Sequence, residues 1–214
     1  MVQVPFKLIN EKNMQKTDLF KIDKPYYSAK QKPDIRNFDA LNYITIDGQG
    51  EPAGKKFNQA VSALYPLAYG IKKIYKLEQM DFTVAKLEGL WWVDSDRKAT
   101  DVDKSLWHWK LMIRLPDFVT NNQFKIAKEA VIAKKKDKNI NKILFEDLNE
   151  GSCVQIMHKG PYKTEADSIN KIFQYIEDHN LIVNGLHHEI YLTDPRKTAA
   201  EKMKTILRQP VRAK

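Results

Sequence analysis

The sequence predicts an α+β fold: a pseudo-duplicated β-α-β-β unit with antiparallel sheets, helices packed on one side and a central cleft. Three observations predict it. Residues 41–116 read strand, helix, strand, strand. Residues 150–211 repeat that order without obvious identity to the first half. The helical segments carry their apolar residues in single stripes, while the strands alternate.

Residues 1–40 are polar and basic, interrupted by Pro25 and Pro33, and read as an N-terminal arm. A short helix is predicted over 11–22, with Tyr26 and Tyr27 pinning the arm to the body. The remainder, 41–214, is predicted to be one domain in two halves, about 41–116 and 150–211. Residues 41–48 form a β-rich run ending in Asp47-Gly48. A helix over about 54–76 follows, because Phe57, Val61, Leu64, Ala68, Ile71 and Tyr75 recur at spacings of three and four. Residues 81–93 read as a strand with a bulge or kink at Gly89. Residues 105–115 read as another, in which Trp107, Trp109, Leu111, Ile113 and Leu115 share a face. A basic amphipathic helix over about 120–136 joins the halves. Strand 152–158, helix 162–179 (with Ile169, Ile172, Phe173 and Ile176 inward), strand 186–193 and strand 202–211 complete the repeat.

Composition narrows the function classes. With 43% hydrophobic and 29% charged residues, the chain is an ordinary globular protein. Its net charge of +9 invites a nucleic-acid reading. The densest basic run, Lys134 to Lys142, instead follows a helical apolar pattern and is broken by Asp137, as at a solvated helix end. No direct nucleic-acid partner is expected. Cys153 is the sole cysteine, which excludes an intramolecular disulfide and a cysteine zinc cluster and fits a reducing compartment. The first residues lack a signal pattern, and no apolar run approaches the roughly 20 residues that cross a bilayer. A cytoplasmic protein away from membranes is expected. No phosphate loop, nucleophile elbow or shared histidine metal site appears, so neither cofactor nor metal is expected.

The candidate chemistry lies on strand 186–193. With Ile190 and Leu192 placed under the helices, Glu189 and Tyr191 share the free face, about 7 Å apart along the strand. A carboxylate amid apolar neighbours needs partners, and burial raises its pKa toward the range of a general acid or base. Trp91, Trp92, Trp107 and Trp109 lie on consecutive strands, with Trp91 and Trp92 facing opposite sides. They are candidate walls for a flat apolar ligand, joined by Tyr65 and Tyr69. His158 precedes Gly160-Pro161-Tyr162, where it is placed to hold the turn; His158 and Tyr162 complete the ligand-binding candidates.

These residues resemble the GyrI-like small-molecule-binding family. The resemblance rests on Leu87-Glu88-Gly89-Leu90-Trp91-Trp92, on Trp107 and Trp109 leading to Pro116, and on His158-Lys159-Gly160-Pro161-Tyr162. It continues through His188-Glu189-Ile190-Tyr191-Leu192-Thr193-Asp194-Pro195-Arg196 to Leu207-Arg208-Gln209-Pro210-Val211. It implies a duplicated fold with a central ligand cleft in which Glu189 matches a buried carboxylate and Tyr191 its strand neighbour. The chain is similar to stand-alone members that hydrolyse cyclopropane-bearing DNA alkylators of the yatakemycin and CC-1065 type within an aromatic cage. That resemblance implies a hydrolase with Glu189 and Tyr191 as catalytic residues and an aromatic small molecule as partner. The alternatives are a binder that sequesters planar or cationic compounds and a gyrase-modulating protein.

Overall fold

The computed structural model describes residues 16–97 and 99–214. Residues 11–15 of the helix predicted over 11–22 lie outside the described residues. The elements are α1 (Leu19–Ile22), β1 (Asp34–Phe38), β2 (Leu41–Gln49), α2 (Lys55–Leu77), β3 (Leu87–Trp92) and β4 (His108–Arg114). They continue as α3 (Asn121–Lys135), β5 (Leu144–Leu148), β6 (Gly151–Lys159), α4 (Glu165–Asp178), β7 (Leu181–Val183), β8 (His187–Tyr191) and β9 (Lys204–Ala213).

The strand order is β1-β6-β9-β8-β3-β4-β2-β5, with β7 pairing the far end of β9, and every pairing is antiparallel. The two repeats are thus β2-α2-β3-β4 and β6-α4-β8-β9, joined side by side through β3 and β8. The strand preceding each repeat crosses to the other: β1 pairs with β6, and β5 pairs with β2. Only Asp39-Ala40 separate β1 from β2, and Asn149-Glu150 separate β5 from β6. Three Cα steps span at most about 11 Å, so the two ends of the strand order must approach and the sheet must curl.

Tyr26 marks the concave face. Its hydroxyl contacts Tyr43 on β2 at 2.6 Å and Glu88 on β3 at 2.5 Å, while the Arg208 guanidinium from β9 lies 4.4 Å from its ring. Leu19, Tyr26 and Tyr27 pack there with Phe38, Cys153, Ile190 and Ile206. Asp18 caps α1 by accepting from the Phe20 amide at 3.2 Å, which holds the chain in place as it enters this core.

The helices cover the convex face. The predicted stripe of α2 is buried with Ile44, Leu111 and Ile113 of β2 and β4. Ile172 and Ile176 of α4 pack on Val154, Ile156 and Leu207. Phe173, predicted inward, is 46% exposed, because α4 turns Ser168, Ile172 and Ile176 toward the sheet and leaves Phe173 on its solvent side. Gly89 also differs from expectation. It pairs with Leu111 on one side and Glu189 on the other in an unbroken ladder, without a bulge.

Candidate cleft between the two helices

Because α2 packs mainly over β2 and β4 and α4 over β6 and β9, the middle strands β3 and β8 lie between the two helices. Strand alternation and register place Gly89, Trp91, His187, Glu189, Tyr191 and Thr205 on this convex, helix-bearing face. The sequence reading put Glu189 and Tyr191 on a helix-free face and Ile190 beneath the helices; the structure reverses this. Ile190 is fully buried against the arm on the concave face, so an apolar side chain there needs no helix above it.

The floor is hydrogen-bonded. The Trp91 indole N–H donates to the Tyr191 hydroxyl at 3.0 Å, and Tyr191 in turn interacts with the Glu189 carboxyl. Gly89 makes room for this contact. A Cβ there would lie 3.1 Å from Trp91 Nε1 and 3.3 Å from the Tyr191 hydroxyl. Tyr162 closes one side, its ring edge-on to Tyr191 at 5.8 Å. Glu165, in the first turn of α4, is 7% exposed. On the other side, Tyr65 of α2 lies against the Leu87 backbone and near Asp194 and Arg196.

The protonation pattern follows from burial. Glu189 is pushed up to about 7 by burial, opposed by its bond to Tyr191 and by the charge on His188. Burial, reinforced by the Glu189 carboxylate, pushes Glu165 up to about 9. His187 is held down at about 4 by burial and by charged His188, so it is neutral at pH 7. Its Nε2 lies 3.7 Å from Glu189 Oε1, too far for a hydrogen bond. His187 Nε2 and Glu165 Oε1 are both buried without a hydrogen-bond partner among the described residues. Unmet polar atoms of this kind are uncommon inside proteins. The chemistry is therefore a carboxyl that titrates near neutrality and a tyrosine with its own proton to give.

The model of the GyrI-like small molecule binding domain matches residues 31–212. The chain belongs to the GyrI-like family. A conserved protein of uncharacterised role from Listeria innocua shares 38% identity, with 92% of this chain and all of that chain covered and a TM-score of 0.86. Two solved Listeria innocua structures described as hydrolases each share 37% identity over 92% of this chain and all of theirs, with TM-scores of 0.81 and 0.83. The C-terminal domain of EcmrR, at 14% identity and a TM-score of 0.57 over 86% of this chain, shares the fold. No curated protein matches the chain. Among the described residues, no helix is long and apolar enough to cross a membrane.

Within this GyrI-like cleft the predicted residues separate into groups. Glu189, Tyr191, Tyr162 and Tyr65 border the gap, and Trp91, 8% exposed and packed in the core with Phe57, reaches it through its N–H bond to Tyr191. Trp107 packs edge-on to Trp91 at 6.1 Å and donates to the Val102 carbonyl at 3.1 Å. Trp109 is 2% exposed and lies over Gly48, so it belongs to the core beneath. Trp92 faces away from Trp91 and stacks on His108 at 5.3 Å. Tyr69 is 57% exposed and borders a groove of about 450 Å³ between α2 and α3 that does not reach Glu189. His158 is occupied by the β6–α4 turn. Its Nδ1 pairs with Ser168 Oγ at 3.1 Å, and its Nε2 meets Thr164 Oγ1 and the Pro161 carbonyl oxygen at 3.2 Å. These contacts leave neither ring nitrogen for a ligand.

Sequence reasoning missed Phe57, Glu165, His187 and a charged network directly behind the cleft. Phe57 stacks on Trp91 at 5.9 Å. Glu165 had a signal: it leads the buried stripe Glu165, Ser168, Ile172, Ile176. Behind β8, His188 pairs with Glu88 at 3.1 Å and Glu150 at 3.0 Å. Arg208 binds the other Glu150 oxygen at 2.8 Å and also the Tyr26 carbonyl and Gln155. Two acids and two bases offset one another, a condition for burying charge at all. Glu150 is accordingly held down at about 2 and His188 up at about 9, each against the opposing push of burial.

Proposed function

We propose that the protein binds planar conjugated small molecules between α2 and α4 and hydrolyses those carrying a strained cyclopropane, the DNA alkylators of the yatakemycin and CC-1065 type, thereby protecting the cell. The observation that carries this reading is Glu189, a half-buried carboxyl held near pH 7 beside a tyrosine proton donor. The two Listeria hydrolases at 37% identity support an enzymatic role.

The residues divide the work as follows. Trp91 donates to the Tyr191 oxygen, which leaves the Tyr191 proton free to be given away. Burial and the neighbouring Glu189 charge hold that phenol well above its ordinary pKa, so it remains protonated. A conjugated carbonyl entering the cleft takes the hydrogen bond that Tyr191 otherwise gives to Glu189. Glu189, released, accepts a proton from water as the water oxygen bonds to the cyclopropane carbon. The C–C bond breaks, and its electron pair flows into the conjugated ring to make a phenolate next to Tyr191. The proton held on Glu189 returns to that oxygen through Tyr191. The net change is addition of one water. The aromatic side chains Trp91, Tyr162 and Tyr65 stack on the ligand and hold it in position.

Mass spectrometry of a cyclopropane-bearing indole alkylator incubated with catalytic protein tests the proposal. The expected product is heavier by one water over many turnovers. Glu189→Gln is expected to lose roughly 10²–10⁴-fold in rate, the usual weight of a general base, while retaining ligand affinity. Full hydrolysis by that variant overturns the base assignment. Unchanged compound with saturable tryptophan quenching overturns the hydrolase and leaves a sequestering binder, in which Glu189 serves as counter-ion.

A further inference from the structure

We propose that the groove between α2 and α3 is a second binding site, built for a small anionic amphiphile: an aromatic or acyl body carrying a carboxylate, sulfonate or phosphate. The site is separate from the cleft at Glu189 and stands whether or not that cleft hydrolyses its ligand.

Charge on the two helices points to an anion. α2 carries five lysines and no acid, and α3 four lysines and one acid, Glu129, so the pair holds +8 of the chain's net +9. The two helices pack side by side, and like charge gathered there repels itself. Part of it is answered inside the protein. Lys72 pairs with Asp81, and Lys128 donates to the Asn141 and Ile143 carbonyls at 3.0 and 2.7 Å. Lys73, Lys134 and Lys135 have no hydrogen-bond or ion-pair partner among the described residues. All three line the groove, Lys73 from α2 and the other two from α3.

Shape points to an apolar body. The groove of about 450 Å³ continues past Gly70 and Val131 into a hollow of about 220 Å³ that ends at Ile74 and Leu77. Ligand pockets of small molecules run from roughly 300 to 1,000 Å³. The floor is closed where the helices touch, since a Cβ at Gly70 would lie 2.7 Å from Val131 Cγ2. Tyr69 is 57% exposed at one end and Leu77 76% exposed at the other. A neutral apolar ligand would cover these side chains but take water from three lysines without replacing it. A bare anion would pair with the lysines and leave Tyr69 and Leu77 in water. A molecule with both parts meets both needs, its head group between cations of the two helices and its body along the groove.

The probe is 8-anilinonaphthalene-1-sulfonate, titrated by fluorescence and followed by amide shifts in nitrogen-15-labelled protein. Saturable binding is expected with a Kd on the order of 10–100 µM, as the size of the molecule allows. The largest shifts are expected at Gly70, Lys73, Val131 and Lys134. Lys73→Glu combined with Lys134→Glu is expected to weaken binding at least tenfold, and so is loss of the sulfonate in N-phenyl-1-naphthylamine. Raising salt from about 0.05 M to about 0.5 M should weaken the sulfonate several-fold, because the lysines are exposed. Circular dichroism checks that the double variant is folded, and Lys73→Gln with Lys134→Gln reads the loss without reversed charge. Glu189→Gln is expected to leave the affinity unchanged, which keeps this result apart from the fate of the proposed hydrolase. Largest shifts on β3 and β8 overturn the groove as the site. Equal affinity of the folded double variants, or of the uncharged compound, overturns the anion. Absence of saturable binding overturns the small-molecule site, and binding of an amphipathic Leu- and Glu-based helical peptide at the same lysines would then assign the groove to a protein partner.

Discussion

Gly89 shows how one missing side chain builds a site. Its neighbours Trp91 Nε1, the Tyr191 hydroxyl and Leu111 all stand within 3.4 Å of where a Cβ would be. Gly89→Ala must therefore displace the indole–phenol contact or the strand. It is expected to weaken binding of a planar ligand about tenfold while costing only about 1 kcal/mol of stability, a mild overpacking. Fluorescence titration and denaturant unfolding of the same sample check both numbers. Gly48 gives the contrasting case. A Cβ there would lie 2.1 Å from the Trp109 ring, inside a core with no room for that ring to move. Gly48→Ala is expected to lose about 3 kcal/mol or fail to fold, read from the urea midpoint. A shift below about 1 kcal/mol would show that Trp109 has freedom the packing denies it.

Among the elements, the long ones were legible and the edge strands were not. The apolar stripe of α2 and the alternation of β4 require burial on one face, so they are written in the order of residues. β1, with sequence Asp34-Ile35-Arg36-Asn37-Phe38, and β5 exchange between the two halves and pair at the ends of the strand order. Ile35 and Leu144 remain exposed there, which erases the alternation that would reveal a strand. The described part of the stretch predicted as an arm holds α1 and β1 and fills the concave face. Tyr26 is its anchor: its hydroxyl donates to Glu88 Oε2 and meets the Tyr43 hydroxyl. Tyr26→Phe leaves a buried carboxylate short of a donor. It is expected to cost about 1–3 kcal/mol, seen as a lower thermal midpoint. A neutral result would mean that His188 alone suffices for Glu88.

For the whole molecule, the buried charges predict the pH dependence of folding. His188 has a raised pKa in the fold, so its contribution is complete below about 6.5 and is lost as pH rises through about 9. Its span corresponds to stabilisation on the order of 3 kcal/mol. Glu189 and Glu165 act in the same direction, since each binds its proton more tightly in the folded than in the unfolded chain. Glu150 is depressed, so its contribution is present above about 4.5 and lost as pH falls toward 2. Neutral buried His187 adds to the acid loss between about 6.5 and 4. Between about 4.5 and 6.5 the two raised carboxyls outweigh His187, so stability is expected to peak near pH 4.5–5 and to fall by several degrees in thermal midpoint by pH 9, measured by circular dichroism. A midpoint that rises from pH 6 to 9 contradicts the charge assignment of the network.

The sequence by itself determined the duplicated β-α-β-β order, the apolar face of α2, the tryptophan-bearing hairpin and Glu189 with Tyr191 on one side of a strand. Each depends on spacing along the chain, which local geometry converts directly into a shared face. Tertiary structure alone decided which face that was. Both faces of the sheet are buried, one by α2 and α4 and the other by the arm and the Glu88–His188–Glu150–Arg208 network, so the apolar pattern of β8 fits either. It also brought together Glu165 and Glu189, Tyr26 and Glu88, and Trp91 and Tyr191, which lie 24, 62 and 100 residues apart. Proximity at such separations comes from the pairing of β3 with β8, the packing of α4 on the sheet and the seat of the arm on the concave face, which no local pattern records.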